Sequence, residues 1–262
     1  MSYRRYVALG DSTTEGLEDR YPNGEYRGWA DRLAERLAAL EPDFRYANLA
    51  VRGKLARQVR ADQLEAAIAL GPDLASVLAG LNDTLRRTVD VDAVAHEIET
   101  MAAGLRGAGA DVVLIALPDP VPVNPLARIA AAHVVRLNAA IRDVAARHGA
   151  FLIDLEAHRV ASDPRLWHVD RLHGNPEGHR RIAAAAAELL GLPGADHEWA
   201  EDYPDAFLRR RHQQLVAHAV WAHLYFRPWV LRRLRGRSSG DGRVAKRPQL
   251  EPMSPDARLS RS

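Results

Sequence analysis

The sequence predicts an α/β protein built on a parallel five-stranded sheet with helices on both faces. Five short apolar runs alternate with longer segments of helical periodicity, and this alternation is typical of parallel sheets. The run at residues 111–117 (DVVLIAL) is apolar almost throughout, as expected for a strand buried on both faces. Polar segments follow several of these runs. Because ligands bind beyond the carboxyl ends of parallel strands, we expect a functional site there.

The predicted elements follow one another in a regular order. The strands are apolar runs that end near glycine, proline or a charged residue: residues 6–9, 45–51, 74–78, 111–117 and 151–155. The helices carry apolar residues at helical spacing: residues 27–40, 55–70, 91–105, 126–148 and 176–190. Gly71-Pro72 ends the second helix, and Pro176 stands in the first turn of the last, where proline is favoured.

Three regions are predicted along the chain. Residues 1–195 hold all five strands and form the main domain. Residues 196–235 form a basic, aromatic helical extension. Residues 236–262 are rich in Arg, Ser, Gly and Pro with few apolar residues, and are predicted to be a disordered tail.

Composition places the chain among ordinary globular proteins. Its 262 residues are 47% hydrophobic and 27% charged, and the formal net charge is +2. The absence of cysteine excludes disulfides, which fits a reducing compartment. The apolar run near the start is too short for a signal-peptide core, and no stretch approaches the roughly 18 apolar residues of a membrane span. We therefore expect a cytoplasmic protein.

The first polar constellation, Gly10-Asp11-Ser12-Thr13, directly follows the first predicted strand. A serine in this place lies at the ligand-binding edge of the sheet. Serine is also a favoured helix N-cap, and both interpretations stay open on this motif alone. The motif is neither a Gly-x-Ser-x-Gly elbow nor a phosphate-binding loop.

The second constellation, Asp170-Arg171-Leu172-His173, precedes the last predicted helix. A serine hydroxyl is a weak nucleophile near neutral pH, so it needs a base, and the base needs a group that fixes its tautomer. His173 can take the proton while Asp170 holds the imidazole. The alternative is that the two residues cap the helix at Pro176.

Two further segments follow predicted strands. Gly80-Leu81-Asn82-Asp83 follows the third, and an asparagine amide is a neutral donor suited to an oxyanion; the alternative is a polar turn. Gly53 follows the second, where a glycine lets a ligand approach the backbone and offers an unhindered N–H.

Together these segments resemble the four conserved blocks of the SGNH (GDSL-type) hydrolases, in the same order. The blocks are Gly10-Asp11-Ser12, Gly53, Gly80-x-Asn82-Asp83 and Asp170-x-x-His173. The resemblance covers about residues 3–190 and implies a flavodoxin-like three-layer α/β/α sandwich around the five-stranded sheet. Thr13 stands where the founding motif has leucine, and Gly174 where proline often follows the histidine.

The resemblance also implies roles for single residues. Ser12 is the implied nucleophile, His173 the base and Asp170 its orienting acid. The implied oxyanion hole consists of the backbone N–H groups of Ser12 and Gly53 and the side-chain amide of Asn82. The supporting positions are Asp11, Gly80 and Asp83.

The activity implied by the resemblance is hydrolysis of a carboxylic ester, with a small-molecule or lipid-like acyl substrate and no metal or organic cofactor. Two alternatives stay open: an acyltransferase that uses the same residues, and a non-catalytic module that binds through the basic C-terminal helix. The loop at residues 118–126 and the helix beyond residue 191 are expected to shape an acyl pocket. No feature of the sequence indicates an oligomeric state.

Basic and aromatic side chains are interleaved along residues 205–235. Packing of a helix on the main domain, with a solvated basic face, is the favoured interpretation. Peripheral contact with an anionic membrane is the second. Nucleic-acid binding is not expected, because no recognised motif is present. His212, His218 and His223 are spaced six and five apart rather than three or four, so no metal site is expected.

Overall fold

The structure, a computed structural model, describes residues 2–86, 88–124, 127–204 and 219–255. In chain order the strands are β1 Arg5–Gly10, β2 Arg45–Asn48, β3 Leu74–Leu78, β4 Asp111–Ala116, β5 Phe151–Asp154 and β6 Arg247–Pro252. They form one sheet in the order β5-β4-β3-β1-β2-β6, in which β1 to β5 are parallel. The order of the parallel strands is that of flavodoxin-like doubly wound folds, as predicted.

Helices cover both faces of the sheet. They are α1 Ser12–Glu15, α2 Gly28–Leu40, α3 Ala56–Ala69, α4 Leu81–Thr84, α5 Val91–Gly107, α6 Arg128–His148, α7 Pro176–Leu189 and α8 Arg227–Leu234, with short 3₁₀ turns between some of them. α2 packs against α7, whereas α3 packs against α5 and α5 against α6. The two helical layers enclose strands that are almost fully buried, so the predicted three-layer sandwich is confirmed.

Aromatic side chains pack in the core around β1, β2 and β3. Trp29 is the largest fully buried side chain, and the rings of Tyr6 and Tyr46 stack with centroids 5.1 Å apart. Tyr6 and Ser76 share a hydrogen bond of 2.7 Å between their hydroxyl groups. These contacts fix β1, β2 and β3 relative to one another. The segments that follow these strands consequently meet at one edge of the sheet.

A sixth strand corrects two predictions. The sheet has six strands rather than five, and the predicted disordered tail supplies the extra one: β6 pairs antiparallel with β2 at the sheet edge. Just before β6, Lys246 Nζ lies 2.8 Å from the buried Asp31 carboxylate and donates to the backbone oxygens of Tyr26 and Arg27. Composition did not reveal this strand because its partners are distant in sequence. Its prolines are tolerated because an edge strand is paired on one side only.

The C-terminal helical segment, defined here as residues 219–234, lies between α7 and β6. It contains a π-helical turn, Ala222–Phe226, followed by α8. The first part of the predicted basic helix, residues 205–218 with His212 and His218, lies outside the described residues. Within the described ranges, no helix combines the length and the apolar character of a membrane span.

Candidate active site

Ser12 lies at the junction between β1 and the one-turn helix α1. The N-cap of this helix is Asp11, whose Oδ1 accepts a hydrogen bond of 3.3 Å from the Thr13 amide. Ser12 is therefore not the cap, which removes the alternative interpretation of its motif. The residue is nearly buried, with 8% of its surface exposed. Within the described part of the chain its hydroxyl makes no hydrogen bond.

The turn after β2 is fixed to α1 by an ion pair. Arg52 Nε donates to both carboxylate oxygens of Glu15 at 3.0 Å, and the Arg52 backbone N–H donates to Glu15 Oε2 at 2.7 Å. Gly53 follows with a φ of +73°, a conformation that favours glycine, and a side chain there would collide with Ser238. The short helix that carries Ser12 thus also holds the Gly53 turn in place.

Two backbone N–H groups, those of Ser12 and Gly53, lack an acceptor in the part of the chain that the structure describes. For Ser12 this is expected, because the first N–H groups of a helix have no intrahelical acceptor. A backbone N–H group without a protein acceptor is suited to bind an anion or a developing oxyanion.

Asn82 connects the segments that follow β1, β2 and β3. Its Nδ2 donates to Asp11 Oδ2 at 2.9 Å and to the Lys54 backbone oxygen at 3.0 Å. Burial raises the pKa of the Asp11 carboxyl to about 7, against the opposing effects of the Thr13 amide and the charge of His173.

The loop after β3 is positioned by Gly80 and Asp83. Gly80 has a φ of +107° and begins α4, the helical turn that contains Asn82 and Asp83. Asp83 Oδ2 accepts a hydrogen bond of 3.0 Å from the Ala56 amide, which ties this turn to the start of α3. The structure therefore brings the predicted supporting positions Asp11, Gly80 and Asp83 together around Asn82.

Asp170 and His173 form a close pair in the loop before α7. His173 Nδ1 lies 2.7 Å from Asp170 Oδ2, and Asp170 Oδ1 accepts the amides of Leu172 and His173 at 3.0 and 3.1 Å. The N-cap of α7 is Asn175, so the pair does not cap the helix. With Nδ1 donating to the carboxylate, Nε2 of the neutral ring carries a lone pair. Nε2 has no hydrogen-bond partner among the described residues.

The charge of Asp170 is stabilised by the same contacts. Burial raises the pKa of this carboxyl, but the hydrogen bond and charge of His173 and the two backbone amides outweigh it and lower the pKa to about 2. Asp170 is therefore ionised across the neutral pH range. An ionised carboxylate holds the His173 ring in one tautomer and stabilises a proton added to its other nitrogen.

The Ser12 and His173 segments share a cavity wall. Thr13, next to Ser12, lines a cavity of about 70 Å³ together with Leu172 and Gly174, which flank His173. The segments that carry the two sequence constellations therefore border the same cavity, although nearly the whole parallel sheet separates them along the chain.

His179 is a structural residue beneath this site. Its buried ring accepts a hydrogen bond of 3.1 Å from the Trp29 amide at Nδ1 and donates one of 2.9 Å from Nε2 to the Leu17 backbone oxygen. Burial lowers the pKa of His179 to about 4, so the ring is neutral near pH 7. It joins α7 to α2 and to the segment after α1, and thereby fixes the last loop against the Ser12 segment.

Glu18 and His168 lie at the site, although the sequence did not predict a role for either of them there. Side-chain atoms of Glu18, Asp170 and His173 lie within 4.8 Å of one another; within the described residues this is the only histidine and carboxylate group spaced like metal ligands. His168 stands between them, with Nδ1 3.5 Å from Asp170 Oδ2 and Nε2 3.5 Å from Glu18 Oε2. No sequence pattern marks Glu18.

Comparison with known proteins agrees with the resemblance found in the sequence. The model of the GDSL-like lipase/acylhydrolase family matches residues 8–181, which is more than half of the chain. The chain therefore belongs to this family, and the predicted family is confirmed. No curated protein sequence matches the chain.

Solved structures of several enzymes share the fold. LAE5, described as an alpha/beta hydrolase from the metagenome of Lake Arreo in Spain, is 24% identical with a TM-score of 0.61; the match covers 72% of this chain and 95% of LAE5. TesA is 24% identical with a TM-score of 0.59, covering 71% and 98%. The acetylxylan esterase Axe2 from Geobacillus stearothermophilus is 19% identical with a TM-score of 0.61, covering 76% and 97%. At these identities the likeness shows the fold.

Proposed function

We propose that the protein hydrolyses carboxylic esters, with Ser12 as nucleophile, His173 as general base and Asp170 orienting the base. The observation that carries the proposal is that four groups of the sequence motifs have no hydrogen-bond partner among the residues that the structure describes. They are the Ser12 hydroxyl, the Nε2 of His173 and the N–H groups of Ser12 and Gly53. These are the groups that ester hydrolysis by a serine uses. Membership of the GDSL-like lipase/acylhydrolase family supports the same assignment.

Acylation begins when the Ser12 hydroxyl attacks the ester carbonyl. His173 Nε2 takes the hydroxyl proton as the new bond forms, and the charge that develops on the ring is stabilised by Asp170, 2.7 Å from Nδ1. His173 then gives this proton to the departing alcohol. In deacylation the same nitrogen takes a proton from a water molecule that attacks the acyl carbonyl, and then returns this proton to Ser12 Oγ as the acid leaves.

The oxyanion of the tetrahedral intermediate is assigned to the N–H groups of Ser12 and Gly53 and to the Asn82 amide. Both N–H bonds of that amide point to other acceptors, Asp11 Oδ2 and the Lys54 oxygen. An amide has two donors, so Asn82 must turn one of them towards the oxyanion during the reaction. Each such donor contributes on the order of 10²–10³ in kcat.

Labelling with a fluorophosphonate tests the proposal, because this reagent reacts with activated serines. We expect one adduct per chain, located on Ser12 by peptide mass spectrometry, and none in the Ser12→Ala variant. His173→Ala should slow the labelling at least roughly 10²-fold, since a serine without its base is a weak nucleophile. Ser162→Ala is the matched control, because it is the same substitution in a 3₁₀ turn that is distant in sequence from the Ser12 motif. This variant should label at the wild-type rate.

A label that persists in Ser12→Ala, or that maps to another residue of the wild-type protein, would remove Ser12 from its role. Equal labelling rates in wild type and His173→Ala would remove His173 as the base. A wild-type protein that takes up no label at any reagent concentration would contradict the proposed class of activity.

A further inference from the structure

A larger cavity adjoins the Asp170–His173 pair. Its volume is about 470 Å³, within the range of about 300–1,000 Å³ that is usual for small-molecule sites. Asp170 and His173 stand on its wall, and the described side chains around them are mostly apolar. The principal apolar members of the wall are Leu85, Ala127, Ile129, Leu172, Trp221 and Phe226.

We infer that this cavity binds the apolar group of the ester, so that the preferred substrates carry an extended hydrophobic chain or ring rather than a bare acetyl group. The inference rests on the proposed function and adds the substrate class to it. A two-carbon acyl group leaves nearly all of the apolar wall without contact. A longer chain buries that surface, and each buried methylene favours binding by about fourfold.

The far wall of the cavity comes from the C-terminal helical segment. Trp221 is buried, with 8% of its surface exposed, and its Nε1 donates a hydrogen bond of 2.8 Å to the Asp170 backbone oxygen. The Arg171 guanidinium lies 5.0 Å from the centre of the Trp221 ring. The wall is therefore anchored to the same loop that carries the acid and the base.

The π-helical turn at Ala222–Phe226 shapes this wall. A π-helix has more residues per turn than an α-helix, so residues five apart lie on nearly the same face of a π-helix. In an α-helix residues at this spacing point in different directions. The rings of Trp221 and Phe226 accordingly stack, with centroids 5.4 Å apart and planes 27° from parallel. The stacked rings present a flat apolar surface opposite the start of α6.

The far wall lies outside the region that the family model matches. The family match ends at residue 181, so Trp221 and Phe226 belong to this chain's own C-terminal extension. The apolar group in the cavity belongs either to the acid or to the alcohol, and both are recognised by the same burial of hydrocarbon. The extension thus contributes to the selectivity for size together with Leu85, Ala127 and Leu172 of the common fold, which also carries the reacting groups.

Two series of esters test the inference. The first varies the acyl chain, as p-nitrophenyl esters from acetate to hexanoate. The second varies the alcohol, as acetate esters from ethanol to hexanol, followed by titration of the released acid. In one of the series we expect kcat/KM to rise by roughly 250-fold with four added methylenes, as burial of about fourfold per methylene predicts.

Two variants narrow the cavity from different elements. Leu85→Trp and Ala127→Phe each replace an aliphatic side chain by an aromatic ring that fills part of the cavity. Each variant should lower the ratio of kcat/KM for the hexyl-chain ester to kcat/KM for the two-carbon ester by at least roughly 10-fold, because the longer chain then overpacks the cavity. Leu40→Trp is the matched control: Leu40 is half exposed at the end of α2, just before β2 begins, and this variant should keep the wild-type ratio. Circular dichroism identifies which variants are folded.

The outcomes separate this inference from the proposed function. If wild type takes the fluorophosphonate label on Ser12 but hydrolyses short and long esters equally well in both series, the cavity inference is wrong and the esterase proposal stands. The same holds if the folded narrowing variants keep the wild-type ratio. If the label does not reach Ser12, the proposed function itself fails.

Discussion

Replacing Ser12 by alanine is expected to lower kcat for ester hydrolysis by roughly 10⁶-fold, the scale at which loss of a nucleophilic serine acts in serine hydrolases. The hydroxyl has no hydrogen-bond partner among the described residues, and Asp11 rather than Ser12 caps α1. Removal of the oxygen therefore leaves the local structure intact. The thermal unfolding midpoint should stay within a few degrees of the wild-type value, since substitutions without a structural partner change stability by about 0.5 kcal/mol or less.

The measurement is steady-state hydrolysis of a p-nitrophenyl ester by purified wild type and Ser12→Ala. Ser162→Ala again serves as the control and should retain wild-type turnover. Retention by Ser12→Ala of even one hundredth of the wild-type kcat, after contaminating esterases have been excluded, would show that another group attacks the ester.

Replacing Asp170 by asparagine is expected to lower kcat on the order of 10⁴-fold, through the tautomer of His173. Asp170 Oδ1 accepts two backbone amides, so the asparagine keeps its oxygen there and turns its NH₂ group towards His173 Nδ1. Nδ1 must then accept, and the ring proton moves to Nε2. The nitrogen that has to take the Ser12 proton is thereby blocked.

A control variant distinguishes the loss of His173 orientation from the mere loss of a carboxylate charge. Asp163→Asn is the matched control, because Asp163 is also a loop carboxylate that accepts a backbone amide at 2.8 Å, from Arg165. We expect it to change kcat less than about threefold, as for a surface substitution away from the reacting groups. The tautomer of His173 in both variants can be read from the ring ¹⁵N shifts. A neutral His173 that still carries its proton on Nδ1 in Asp170→Asn would contradict the account.

The parallel part of the fold was predictable because its strands are buried on both faces. Such strands are read as nearly continuous apolar runs, and the run at residues 111–117 contains the whole of β4. Helix ends were marked by local chemistry, such as Pro176 in the first turn of α7. In each case the signal lies within the segment that forms the element.

β6 was not predictable for the opposite reason. Its sequence, Arg-Pro-Gln-Leu-Glu-Pro, is typical of a disordered segment. Its order depends on pairing with β2 and on the ion pair between Lys246 and the buried Asp31, and both partners are about two hundred positions away. A carboxylate buried in this way requires a compensating charge. The need for a partner for Asp31 is visible only once the fold is known.

Some residues of the candidate site could be predicted from the sequence, and others could not. Ser12, Gly53, Asn82, Asp170 and His173 could be named in advance because each sits in a short motif at a strand end or in the last loop. Glu18 and Trp221 could not. Glu18 reaches Asp170 and His173 only because of the path that the chain takes after α1. Trp221 reaches the Asp170 loop because the C-terminal extension packs there, although the composition of that extension resembles a solvated basic helix.

The central claim is that Ser12 and His173 act on one carbonyl, with the oxyanion held by Ser12, Gly53 and Asn82. The most direct test is a crystal structure of the protein after reaction with an alkyl fluorophosphonate. We expect phosphorus bonded to Ser12 Oγ, the phosphoryl oxygen about 2.7–3.1 Å from the N–H groups of Ser12 and Gly53 and from Asn82 Nδ2, and His173 Nε2 facing the adduct. An adduct on another residue, or a phosphoryl oxygen that contacts none of these donors, would contradict it.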